Sequence, residues 1–438
     1  MRFVRHPLII TLCLVLSLAG GQALAQDSGK KDPKKKPTKA EQEAQKSRGG
    51  TMSPTVAKKL AAAQELLQAE KTNAAEKELA ALLKRRGLKD IEKASIYYLM
   101  GFVANDREDT NKAIAWFTKA IKEDVLPLAQ QYSLEYNVAQ LYMVDGKFER
   151  ALKILRSWFK KARAKNSPVT PNGGNYYMLA LCYMNQPTPN VKSARRPAEL
   201  AVEVSDKPQE NWLRMLGQIY YQLKEYDKLA GVLERLIEEY NKAEYYTQLS
   251  GAYNEAGQDM NALAVMQLAH RQGLLTKESQ IRQLTQMYLY QSIPYRAAQV
   301  MEKGFEDGLV EQTLGNYQLL ADSWIGAREA ERSFEPLSAA ASLSDSGDLY
   351  MRLGQAYVAK QLWQEADSAL GSALEKGDLK DTGNTHLLRG LARMNRERWQ
   401  SARASFEAAE KFESSKSSAS QYKRYLEQRK QQVEALRN

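Results

Sequence analysis

The residues with catalytic potential are few and far apart. His270 and His386 stand 116 residues from each other, and the only cysteines are Cys13 and Cys182, too few for a disulfide framework or a thiolate-built zinc site. None of the spacings that assemble a reaction centre occurs. There is no H-E-x-x-H for a zinc hydrolase, no G-x-S-x-G nucleophile elbow, no G-x-x-x-x-G-K-[ST] phosphate loop and no G-x-G-x-x-G after a strand. Acidic pairs such as Glu238/Glu239 and Glu407/Glu410 have glycosidase-like chemistry, but they stand on amphipathic segments where a solvated face accounts for them. Cys182 shares an apolar helical stripe with Met178 and Leu179 and reads as a small hydrophobe. The expectation is no catalytic residue, no metal and no cofactor, hence no enzyme.

A second set of side chains recurs regularly and suits binding rather than reaction. One column reads Tyr98, Tyr136, Tyr177, Arg214 and Arg282; another Phe102, Gln140, Leu181, Gln218 and Gln286; a third Asn105, Met143, Met184 and Tyr221. Aromatic, methionine and arginine enrichment characterises desolvated interface centres. The expected site is a groove from Tyr98 to Gln286 that takes an extended or helical segment of a protein partner. The alternative is that these residues pack on neighbouring helices.

The elements that position these columns follow from an internal repeat. Tyr350-x-x-Leu353-Gly354-x-x-Tyr357, then Ala366-x-x-x-Leu370-x-x-Ala373, matches the skeleton of a tetratricopeptide (TPR) unit. A small residue recurs at Ala63, Gly101, Ala139, Ala180, Gly217, Ser250, Ala321, Gly354 and Gly390, with the larger Thr285 completing ten landmarks about 36 residues apart. Numbering each landmark as position 8, a second small residue follows at position 20, from Ala75 to Ala402. The fourth unit departs from this through the insertion Gln186-Pro-Thr-Pro-Asn190, and the fifth has Leu229-Ala230. Positions 4, 7, 8 and 11 make one helical stripe and positions 20, 24 and 27 another, so each unit is a helical hairpin. Small residues are expected where the stripes cross, and the position-11 rings Tyr142, Tyr183, Tyr220, Tyr253, Tyr288, Trp324 and Tyr357 are expected to be core. Hairpins that cannot bury their faces alone must stack. The expected fold is therefore an all-α TPR solenoid of about ten repeats in a right-handed superhelix over 51–412, closed by a capping helix within 413–438 that turns Tyr422, Tyr425 and Leu426 inward.

The N-terminus reads separately. Arg2 and Arg5, a 13-residue apolar run from Pro7 to Ala19, and Ala23-Leu24-Ala25 have the order of a cleaved secretory signal over 1–25; a membrane anchor is the rival, but a span needs about 20 residues. Residues 26–50, with eight Lys/Arg, four Asp/Glu and no large apolar side chain, form a disordered tether able to touch anionic envelope surfaces weakly. Signal and tether together hold six of the eleven surplus positive charges. The remaining surplus gives no argument for a nucleic-acid partner.

The stretches Glu210-Asn-Trp-Leu213, Leu233-Glu-Arg-Leu236, His270-Arg-Gln-Gly-Leu274, Pro294-Tyr-Arg-Ala-Ala298, Asn316-Tyr-Gln-Leu-Leu-Ala321 and Leu349-Tyr-Met-Arg-Leu-Gly-Gln355 carry a narrower likeness. In order and spacing they resemble the periplasmic TPR proteins encoded with TonB, ExbB and ExbD. The resemblance implies a periplasmic, non-enzymatic accessory of TonB-dependent outer-membrane uptake of iron chelates or similar cargo. Its implied partners are TonB, ExbB, ExbD or an outer-membrane receptor. An adaptor for envelope assembly or polysaccharide export, and an enzyme acting on cell wall or glycan, are the alternatives.

Overall fold

In the computed structural model, residues 50–437 are described; the expected signal segment with Cys13, and the tether before Gly50, lie outside the described residues. Among the described residues all regular structure is helical. Two compact units divide at Val169/Thr170. The division falls in residues 163–172, the longest stretch between consecutive helices, which carries Pro168 and Pro171.

The first unit holds three hairpins: α1 (Pro54–Gln68) with α2 (Thr72–Leu83), α3 (Asp90–Asp106) with α4 (Thr110–Lys122), and α5 (Leu128–Val144) with α6 (Phe148–Ala162). The second holds seven: α7 (Gly173–Met184) with α8 (Val191–Glu203), α9 (Glu210–Gln222) with α10 (Tyr226–Tyr240), α11 (Ala243–Glu255) with α12 (Asp259–Arg271), α13 (Glu278–Tyr290) with α14 (Pro294–Glu306), α15 (Leu314–Gly326) with α16 (Phe334–Leu343), α17 (Asp348–Ala359) with α18 (Trp363–Lys376), and α19 (Thr382–Asn395) with α20 (Trp399–Ala409). The last helix, α21, runs Glu413–Arg437. The ten small-residue landmarks fall one to a hairpin, and all ten are buried. The expected all-α array of helical hairpins is thus present.

One turn design serves nine of the ten hairpins. Three residues follow the first helix before the next helical turn, which between α15 and α16 is the short 3-10 turn Ala330–Ser333, and the middle one is left-handed with φ between 56° and 72°: Glu70, Glu108, Gly146, Lys224, Gly257, Ser292, Arg328, Gln361 and Glu397. In each, the N–H three residues past the helix bonds back to a carbonyl of its last turn at 2.8–3.0 Å, the Schellman closure; in all nine the acceptor is the position-11 residue, as in Glu225 to Tyr220. The hairpin with the Pro187/Pro189 insertion is the exception, and there the Asn190 side chain caps α8 by accepting from Ser193 N–H.

The small residue at position 8 makes room for the large side chain at position 24. A Cβ on Gly101 would lie 2.2 Å from the Phe117 ring, and one on Gly354 or Gly390 would lie 2.5 Å from Leu370 or Phe406. Close approach is therefore a matter of side chain against backbone, not of backbone against backbone. Within the second unit, hairpins are tied to the next by residues at the N-termini of their first helices. Glu210 accepts from Tyr245 and Lys242 of the next hairpin, and Glu278 accepts from the Glu311 N–H and Asn316 Nδ2, both at 3.0 Å. Helix α21 covers the last hairpin with Leu426 and Ala419 and stacks Tyr422 on Phe406 at 5.6 Å. Tyr425 does not join them. It is exposed, because Leu426 one residue later takes the inward direction.

A candidate protein-interaction face

The potential reaction groups are spent on structure. Cys182 is fully buried, and burial pushes its thiol up to about 12, so it stays protonated and inert. His270 and His386 are half-buried and held below the usual histidine range by that burial, which leaves both neutral near pH 7. Glu407 pairs with Arg403 at 3.2 Å, and Glu410 accepts from Ser420 and Lys423. Among the described residues, no group of three or more His, Cys, Asp or Glu side chains converges as a metal site.

The expected groove columns divide between the two units. In the first unit, Tyr98, Phe102 and Met143 are buried, which corrects their assignment to a partner-binding surface. Tyr98 packs edge-on against Phe102 at 4.8 Å, and Phe102 against Phe117 at 5.1 Å. Gly101 is the cause: without a Cβ it draws Phe117 in, and the rings on either side of it on α3 close over that ring. Tyr136 is half-buried against Trp158, with ring centroids 5.2 Å apart, while Asn105 and Gln140 are half-buried.

In the second unit, Tyr177 stacks on Trp212 at 5.9 Å and accepts a 3.4 Å hydrogen bond from Asn211 Nδ2, so it belongs to the contact between its hairpin and the next. Leu181 and Met184 are half-buried against the same core. Arg282 donates to Asn316 and is likewise occupied by the neighbouring hairpin. Arg214, Gln218, Tyr221 and Gln286 are exposed, Tyr221 at 59%.

The structure adds a residue that the columns missed. Tyr290 is 77% exposed at the end of α13. It lines a shallow notch of about 310 Å³ with Asn254, Gln283, Gln286 and Met287, between α11 and α13. Tyr290 occupies position 13, so reading one further column along the repeat finds it. Exposed rings beside amide side chains provide apolar area together with hydrogen-bond donors and acceptors, the composition of a polypeptide-binding surface.

No protein-family profile and no curated protein matches this sequence. Solved structures similar to it include TPR proteins at low identity. One is a tetratricopeptide repeat protein from Parabacteroides merdae, 16% identical over 62% of this chain and 99% of that one, with a TM-score of 0.36. Another is the C-terminal part of a TPR repeat-containing protein from Cytophaga hutchinsonii, 14% identical over 57% and 98%, TM-score 0.36. A third, YrrB, is described as a TPR protein with an unusual peptide-binding site; it is 16% identical over 44% and 99%, TM-score 0.34. The fold assignment rests on the chain's own hairpins, landmarks and turns.

Proposed function

We propose that this protein is a non-enzymatic periplasmic scaffold that holds protein partners on the exposed first-helix face of its second unit. The observation that carries the reading is the pair Tyr221 and Tyr290, which are 59% and 77% exposed on helices that also expose Arg214, Gln218 and Gln286. Tyr221 has an edge contact with Tyr226 at 6.3 Å, and the area left exposed on both tyrosines gains contact when a partner covers it. The periplasmic setting rests on the signal-like N-terminus, and the partner class, TonB, ExbB, ExbD or an outer-membrane receptor, rests on the sequence resemblance.

Calorimetry with the purified chain and the periplasmic domains of TonB and ExbD tests the partner class. Binding that weakens at least tenfold in the double variant Tyr221→Ala/Tyr290→Ala, with an unchanged melting temperature, is the expected result. Equal binding by both proteins, or none to either domain, counts against it.

A further inference from the structure

In the last full hairpins of the second unit, three guanidinium groups gather around one carboxylate. Asp367 on α18 accepts from Arg389 Nε at 3.0 Å and Arg393 Nε at 2.8 Å, both on α19, and from Nη1 of Arg396, the residue that follows α19, at 3.1 Å. Arg393 also donates to Ser405 Oγ at 2.9 Å and to the Ser401 carbonyl at 3.4 Å. These five bonds engage a minority of the roughly fifteen N–H donors that three guanidiniums carry. The three side chains are 20–24% exposed, so the cluster is partly desolvated but open to solvent.

The arrangement exceeds what holding two hairpins together requires. Around the contact between α8 and α9, Tyr220 makes a comparable bond to Glu199; Arg195 pairs with Glu199 and Glu225, Arg196 with Glu199 and Glu203, and Lys228 with Glu225, so three cations meet three carboxylates. At the α18–α19 contact, Arg393 takes the place of that tyrosine and would suffice. Arg389 and Arg396 add two further positive charges, four residues before and three residues after Arg393, at spacings where like charges repel. Gly371 makes room for one of them: a Cβ there would meet the Arg389 guanidinium at 2.9 Å. Lys411 adds to the local field, and with Arg389 and Arg393 it holds the half-buried His386 neutral in addition to the effect of burial.

We propose that Arg389, Arg393 and Arg396 form an oxyanion site, taking a phosphate or carboxylate group in the two-pronged geometry that planar guanidiniums favour. The bound group supplies the negative charge that Asp367 alone leaves short. This site is separate from the Tyr221/Tyr290 face, and neither reading depends on the other.

Isothermal calorimetry on the full-length protein tests the site, with inorganic phosphate and with succinate, each against chloride at equal ionic strength. Saturable binding of either anion is expected, weakened about tenfold or more in Arg389→Gln and in Arg396→Gln, with circular dichroism unchanged. Phosphate binding without succinate binding assigns a phosphate-bearing ligand, and the converse a carboxylate. Should Arg389→Gln fail to fold, Arg389→Lys keeps the charge, removes the planar fork and is expected to weaken binding as well. Binding no stronger than in chloride, or equal binding by the folded variants, overturns the proposal.

Discussion

The phenol of Tyr220 donates a 3.1 Å hydrogen bond to Glu199, a residue on the second helix of the preceding hairpin. Tyr253 does the same to Glu234 at 2.5 Å, and Tyr288 accepts from Gln267 at 2.5 Å. One residue column therefore fills the core with its ring, ties hairpin to hairpin with its hydroxyl and accepts the turn-closing bond on its own carbonyl. Burial, with the Glu199 charge, pushes the Tyr220 phenol up to about 12, so it stays a donor at any ordinary pH. Tyr220→Phe removes only the hydroxyl and leaves Glu199 paired with Arg195. A loss of about 1 kcal/mol is expected, against about 3–5 kcal/mol for Tyr220→Ala, read as shifts of the urea midpoint.

The left-handed turn residues give a prediction of opposite sign. Seven of the nine are not glycine, although a side chain in that conformation costs about 1 kcal/mol. Lys224→Gly and Gln361→Gly are expected to raise the melting temperature, each adding about 1 kcal/mol, less whatever flexibility glycine adds to the unfolded chain. A fall in melting temperature for both would mean that the turn geometry is wrong.

Two glycines in the same column separate crowding from open space. Gly101→Ala drives a methyl into the Phe117 ring and is expected to cost about 1–3 kcal/mol, whereas Gly217→Ala meets nothing nearer than Leu229 at 3.4 Å. The second change is expected to be neutral or to stabilise by up to about 1 kcal/mol through helix propensity. Thermal unfolding of the two proteins side by side checks the ordering.

The hairpins were legible in the sequence because their signal repeats: a landmark at position 8 recurs ten times, and a small residue at position 20 follows it in eight of the ten units. Turns were legible where glycine marks them, at Gly146 and Gly257, and silent where Glu70, Lys224 or Gln361 holds the same conformation, because the Schellman bond is backbone chemistry. The candidate face was legible by column but not by exposure. Tyr98 and Tyr177 share position 5, yet one lies over Phe117 beside a glycine and the other on Trp212 of the next hairpin. Which column member faces solvent depends on neighbours one helix away. The Asp367 cluster was invisible because its acid and its arginines belong to different hairpins.

Stability should fall as pH drops below neutrality. His270 and His386 both have lowered pKa values in the folded chain because burial disfavours the imidazolium, so the unfolded chain binds more protons. Their contribution is complete above the unfolded value of about 6.5 and is lost as pH falls through it toward the folded values. Urea midpoints measured between about pH 7.5 and pH 5.5 should decline, and the slope should flatten in His270→Gln/His386→Gln. An unchanged slope in that variant would assign the decline to carboxylates instead.

The central claim is that Tyr221 and Tyr290 mark a surface that another protein covers. Site-specific photocrosslinking tests it most directly, with a photoreactive amino acid placed at position 221 or 290 of the full chain in living cells under iron limitation, followed by mass spectrometry of the adducts. The account predicts protein adducts from both positions, shared in identity, including a TonB-system component, and none from a control at the buried position 98. Adducts absent from 221 and 290, or no more abundant there than at arbitrary exposed positions, would contradict it.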